Sequence, residues 1–114
     1  MADPTTLDVQ EVTSVGVELE FTAADTTNGN RWKNTGREIL EIKNTGASTA
    51  KVTVVTPLTM DGLDIDDREI DLDDGETFHA TFPRTDVYND SNGWTVIEAS
   101  GTGAADLEYA VFKR

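Results

Sequence analysis

Seven aspartates, Asp61, Asp64, Asp66, Asp67, Asp71, Asp73 and Asp74, fall within fourteen residues, and closely spaced carboxylate oxygens are what a hard cation such as calcium takes as ligands. Asp61, Asp64, Asp66 and Asp67 are the candidate metal ligands. The spacing departs from an EF-hand loop, because Arg68 stands where that loop would continue and no helical pattern flanks it. A hydrated acidic connection is the competing reading, and Asp90-Ser91-Asn92-Gly93 has the same two readings on a smaller scale. Two carboxylates across a cleft would also suffice for glycoside hydrolysis. A single short sandwich leaves little room for the deep groove that reaction needs. His79 is the sole histidine; it sits between Phe78 and Ala80 in a strand-like run, no nucleophile elbow surrounds any serine, and it reads as a surface group. The chain is therefore expected to be no enzyme and to need no cofactor, with calcium as the one ion its carboxylates would suit. Trp32, Tyr88 and Trp94 could stack on sugars, with Trp94, at a strand start, assigned to the core.

The elements that would carry these residues are strands. Two strand-like segments, Val52–Thr56 and Thr77–Phe82, flank the acidic connection, and Pro57 and Pro83 stop them because proline has no amide proton to give a ladder. Upstream, Val17, Leu19, Phe21 and Ala23 alternate with Glu18, Glu20 and Thr22, the period-two pattern of a half-buried strand. Residues 24–36, with their Asn-Gly and Asn-Thr signals, are predicted to be a long loop containing Trp32. Arg37–Asn44 is a strand with Leu40 and Ile42 inward, Gly46 is expected at positive φ in the reversal that follows, and Ala50–Thr56 is close enough to return as a hairpin. Residues 84–93 read as a turn-rich loop, 94–99 as a strand, and Asp106–Phe112 as the last strand, with Leu107, Tyr109 and Val111 on one face. Short strands at intervals of about 8 to 14 residues, with no helical period, predict an all-β fold. The expected architecture is a single antiparallel β-sandwich, jelly-roll or Ig-like, of about six to eight strands. Residues 1–13 lack a clean period and are read as an N-terminal arm, flexible or docked on a partner; residues 14–114 form the sandwich domain.

The chain has 114 residues, 22 acidic and 9 basic, for a formal charge of −13. No basic stripe exists to displace counterions from a phosphate backbone, so nucleic acid is the least suitable partner. The absence of cysteine excludes a disulfide framework. No run approaches the roughly 18 apolar residues of a membrane span, and Met1-Ala2-Asp3-Pro4 lacks the basic start of a signal peptide. Many carboxylates with only four lysines suit a protein kept hydrated in high salt, where self-repulsion is screened.

Taken as a frame, Ile42-Lys-Asn-Thr-Gly46, Val52-Thr-Val-Val-Thr-Pro57, Thr59-Met-Asp-Gly-Leu63, Asp67-Arg68, Gly75, Phe82-Pro83, Tyr88-Asn-Asp90, Gly93 and Ala110-Val-Phe-Lys-Arg114 resemble a family of small head proteins of tailed viruses of bacteria and archaea. The resemblance covers residues 36–114 and consists of turn and strand markers without a catalytic signature. The acidity departs from the more neutral bacterial-virus members, which fits a haloarchaeal host. The resemblance implies a virion structural protein on the capsid surface, present in the host cytoplasm during assembly. As a decoration, cement or turret subunit it would bind the major capsid protein and itself, as a trimer or pentamer. Phe21, Trp32, Tyr88 and Phe112 are the candidate interface residues. Alternatives are a neck or tail component of the same virion, or a calcium- or carbohydrate-binding sandwich module.

Overall fold

The structure is a computed structural model that describes residues 3–57, 59–60, 62–64 and 67–113. Its strands in chain order are β1 (Thr5–Thr6), β2 (Val9–Glu11), β3 (Thr22–Ala23), β4 (Asn30–Lys33), β5 (Ile39–Asn44), β6 (Ala50–Val54), β7 (Thr59–Met60), β8 (Leu63–Asp64), β9 (Arg68–Leu72), β10 (Thr77–Thr81), β11 (Trp94–Ser100) and β12 (Leu107–Lys113). One helical turn, α1 (Thr85–Tyr88), and a 3-10 turn, Ala104–Asp106, lie among them. The strands form an all-β sandwich. One sheet has the order β1-β4-β11-β6-β9; the other runs β10-β5-β12-β2, with β3 also paired to β12.

The order follows from one long hairpin rolled on itself. Around a tip between β6 and β9, the antiparallel pairs are β6 with β9, β5 with β10, β4 with β11 and β3 with β12. Rolling then sets β12 against β5 and β11 against β6. These eight strands have the two-Greek-key order of a jelly roll. The N-terminal β1 and β2 join the edges in parallel, on β4 and β12 respectively, so the sheets are mixed where purely antiparallel ones were expected. In place of a free arm, residues 5–11 divide between the two layers, and Leu7, only 3% exposed, drops into the core between them.

Alternation explains what is buried. Leu40 and Ile42 on β5, Val52 and Val54 on β6, Ala80 on β10 with Phe82 just beyond it, and Leu107, Tyr109 and Val111 on β12 all point inward. The expected hairpin between β5 and β6 does not form, because these strands belong to different layers. Asn44 holds the crossing. Its buried side-chain amide donates to the carbonyls of Ser48 and Asp73 at 2.8 and 3.2 Å, and its Oδ1 accepts the N–H of Gly46 at 3.1 Å. Gly46 does not take positive φ; glycine is required there because a Cβ would collide with the Asp106 carboxylate.

Two further expectations change. Residues 24–36 contain a strand, β4, with Trp32 inside the core at 1% exposure against Phe82, ring centroids 5.7 Å apart. The acidic connection contains β9, whose Ile70 and Leu72 face inward while Glu69 and Asp71 face water.

The Tyr109 hydroxyl is buried without a hydrogen-bond partner among the described residues, and burial pushes its pKa up. Since a buried, unpartnered hydroxyl carries its desolvation cost uncompensated, Tyr109→Phe is expected to leave the melting temperature unchanged or raise it. Removing residues 1–11 takes away Leu7 and both parallel edge strands. That truncation is expected to cost about 2–5 kcal/mol, seen as a lower urea midpoint.

Candidate functional site

Two surfaces stand out from the ordinary hydrated exterior, and each is held in place by identifiable polar contacts. The first is a groove on the outer face of the β11 sheet. Thr95 and Ile97 take the inward positions of β11, which turns Trp94, Val96 and Glu98 outward. Trp94 is thus a half-exposed outer-face residue and not part of the core. Its ring is gripped from β4, where Arg31 Cζ and Lys33 Nζ each lie 4.3 Å from the ring centroid. Beside it, Val55 and Pro57 from the end of β6, with Tyr88 and Asp90, complete a groove of about 220 Å³.

The loop that supplies Tyr88 and Asp90 is fixed by paired amides. The Asn34 amide donates to the Phe82 carbonyl at 2.9 Å and to Asn89 Oδ1 at 3.1 Å, and Asn89 Nδ2 donates back to the Asn34 carbonyl at 2.7 Å. The Thr95 hydroxyl adds a fourth bond, 2.7 Å to Asn89 Oδ1. Asp90 Oδ1 accepts the N–H groups of Asn92 and Trp94 at 2.8 and 3.0 Å, which sets the start of β11. Tyr88 meets Phe82 edge-on, centroids 5.3 Å apart. One of its sides is core and the other lines the groove.

The second surface is the turn after β2. The expected strand over Val17–Ala23 shrinks to β3, because β2 already occupies the far end of the β12 edge. The Gln10 side chain substitutes for a neighbouring strand there, accepting the Glu20 N–H at 2.8 Å and donating to its carbonyl at 2.9 Å. Between them Thr13–Gly16 turns tightly, with the Gly16 N–H on the Thr13 carbonyl at 3.0 Å and φ of +86° at Gly16. Val12, Val15 and Val17 are left 36%, 91% and 48% exposed.

Of the expected interface residues, Phe21 and Phe112 are half-buried on the outer face of the β12 sheet. Lys43 Nζ lies 4.0 Å from the Phe21 ring centroid, and the His79 ring stands edge-on to Phe112 at 6.4 Å. Tyr88 is at the groove on the opposite layer. Trp32 is interior and cannot contact a partner, because its position on β4 faces the core. His79 is an exposed group, its Nε2 2.9 Å from Glu41 Oε1.

Of the expected metal ligands, Asp61 and Asp66 lie outside the described residues, as does the side chain of Asp64. Asp67 is exposed and accepts the Thr56 N–H through Oδ1 at 2.8 Å, a contact that closes the base of the hairpin tip. Lys51 pairs with Glu69 at 3.2 Å beside Asp71, and Asp73 donates its N–H to Glu76 Oε1 at 2.7 Å. Among the described residues no three acidic or histidine side chains gather as a metal site.

Val15, Val55 and Val96 also belong to these surfaces and are not among the expected site residues. An uncharged run, Val12-Thr-Ser-Val-Gly-Val17, inside so acidic a chain was the available signal for the first. Nothing local marks the other two, which are brought together by pairing of β6 with β11.

No protein-family model, curated protein or solved structure matches the chain.

One buried carboxylate has a clear titration consequence. Glu38 is 3% exposed; burial pushes its pKa up, but the Thr35 hydroxyl and N–H, at 2.7 and 2.6 Å, outweigh this and hold it below the ordinary value. A group lowered in the folded state adds stability above its unfolded pKa, near 4.5, and that stability is lost as pH falls through the folded value. Glu38→Gln should therefore cost about 1–3 kcal/mol at pH 7. Below about pH 4 the gap to the parent should narrow, as measured by urea unfolding across pH.

Proposed function

We propose that this chain is a non-enzymatic structural subunit of a tailed-virus head, bound on the capsid exterior to the major capsid protein and to copies of itself. The observation that carries the reading is the exposed apolar turn: Val12, Val15 and Val17 lie within six residues and project from a firmly paired sandwich edge. Clustered exposed aliphatic side chains mark an association surface. The jelly-roll order supports the reading, since virus capsid domains use it, although lectin domains and cupins use it as well. The sequence frame over residues 36–114 points the same way. High negative charge agrees with work in concentrated salt, where repulsion between copies is screened.

A carbohydrate-binding module is the second reading, favoured by the aromatic walls and carboxylate rim of the groove at Trp94, Tyr88, Asp90 and Glu98. Sedimentation velocity from low to molar salt separates the two. The structural reading expects a trimer or pentamer that tightens as salt rises, and antibodies to the protein that label intact particles. A monomer at every salt concentration that binds a glycan array would overturn it in favour of the module.

A further inference from the structure

The protruding turn and the groove are complementary to each other. The turn offers aliphatic side chains and two hydroxyls, on Thr13 and Ser14, in a stretch without charge. The groove offers an apolar floor of Val55, Pro57 and Val96 between the Tyr88 and Trp94 walls, with Asp90 and Glu98 at its lining. Its volume of about 220 Å³ suits small branched side chains. Asp90 and Glu98 can accept hydrogen bonds from the two hydroxyls, and Arg31 and Lys33 on the Trp94 ring supply positive charge for Glu11 and Glu18, the acids that flank the turn.

We propose that Val15 and Val17 of one copy insert into the Trp94 groove of the next. The contact joins two different surfaces and is therefore heterologous. Repeated by a rotation that closes, it builds a ring, the geometry a cyclic trimer or pentamer needs. Half-exposed Trp94 becomes covered in the ring, while Trp32 is buried in every state. The inference rests on the reading that copies bind one another; it does not depend on the capsid partner.

The test uses two classes of variant in the full chain. Val15→Asp with Val17→Asp spoils the turn at positions already in water, so the fold is expected to hold. Val96→Asp spoils the groove, and Pro57→Asp, at an exposed position, does so without touching a strand; circular dichroism checks each. In molar salt each class alone should associate at least about tenfold more weakly than the parent. Mixed in equal amounts, the two classes should give a dimer and nothing larger, since one intact turn and one intact groove remain, and Trp94 emission should shift to the blue. If the parent associates and neither class weakens it, insertion is wrong and self-association stands. If both classes are monomeric and their mixture is too, the contact is not turn-into-groove. A parent that is monomeric at all salt concentrations would remove the inference together with the self-association reading.

Discussion

The pairing of β12 with β5 is the interaction on which the molecule depends. Without it and its counterpart, β11 with β6, the pairs would make only the flat ladder of a long hairpin, with one strand after another paired outward from the tip. Six residues of register, from Leu107 opposite Asn44 to Phe112 opposite Ile39, curl that ladder over so that its two halves face each other. Leu40, Ile42, Leu107, Tyr109 and Val111 then turn toward Val52, Val54 and Ile97 of the other layer. A slip of β12 by one residue would send Leu107, Tyr109 and Val111 to water. The aromatic column of Trp32, Phe82 and Tyr88 fills the end of the interior nearest the α1 loop.

How much of this can be seen in the sequence depends on the purity of the alternation. β5, β6, β10 and β12 carry apolar residues at every second position, and their inward faces are legible without coordinates. β9 is concealed because its outward residues are the acids of a longer acidic run, and two apolar positions, Ile70 and Leu72, are a thin signal. β4 is concealed differently: Asn30 and Trp32 point inward between turn-forming residues, and a buried asparagine looks like a loop. Trp94 misleads by size, as large aromatics are usually interior, whereas here Thr95 and Ile97 hold the inward register. The hairpin expected between β5 and β6 shows the limit of proximity in the chain. A five-residue connection can return within a sheet or cross to the facing one, and the choice lies with Asn44, whose amide ties strand ends from both layers. The candidate sites were the least legible part. Phe21, Tyr88 and Phe112 could be named singly, but the groove exists only once β6 and β11 are neighbours.

Charge sets the second constraint. With 13 more acidic than basic side chains, two copies repel at most orientations, and the approach is easiest where a surface is uncharged. Basic residues are used sparingly and locally. Arg31 and Lys33 grip Trp94, Lys51 pairs with Glu69, and Arg84 forms a paired hydrogen bond with Asp86 at 3.0 and 2.9 Å. Exposed pairs of this kind contribute little to stability. Their effect is on where bare negative charge remains.

A rolled hairpin also dictates where association can happen. Both faces of each sheet are committed, one to the core and one to a polar, partly aromatic exterior, and one lateral edge of each sheet is closed by short strands, β1 on one and β2 with β3 on the other, while β9 and β10 form the opposite edges. At the β1 and β2 edges the short strands discourage edge-to-edge growth. Away from the edges, two places where the chain leaves the ladder present apolar surface: the turn between β2 and β3, and the corner beyond β6 at Pro57, beside the loop that carries Tyr88 and Asp90. A turn entering a groove would fix one orientation per contact, and the rotation that contact imposes would decide between a closed ring and open growth. If copies associate there, the orientation of the contact is set by the same strand pairing that builds the core.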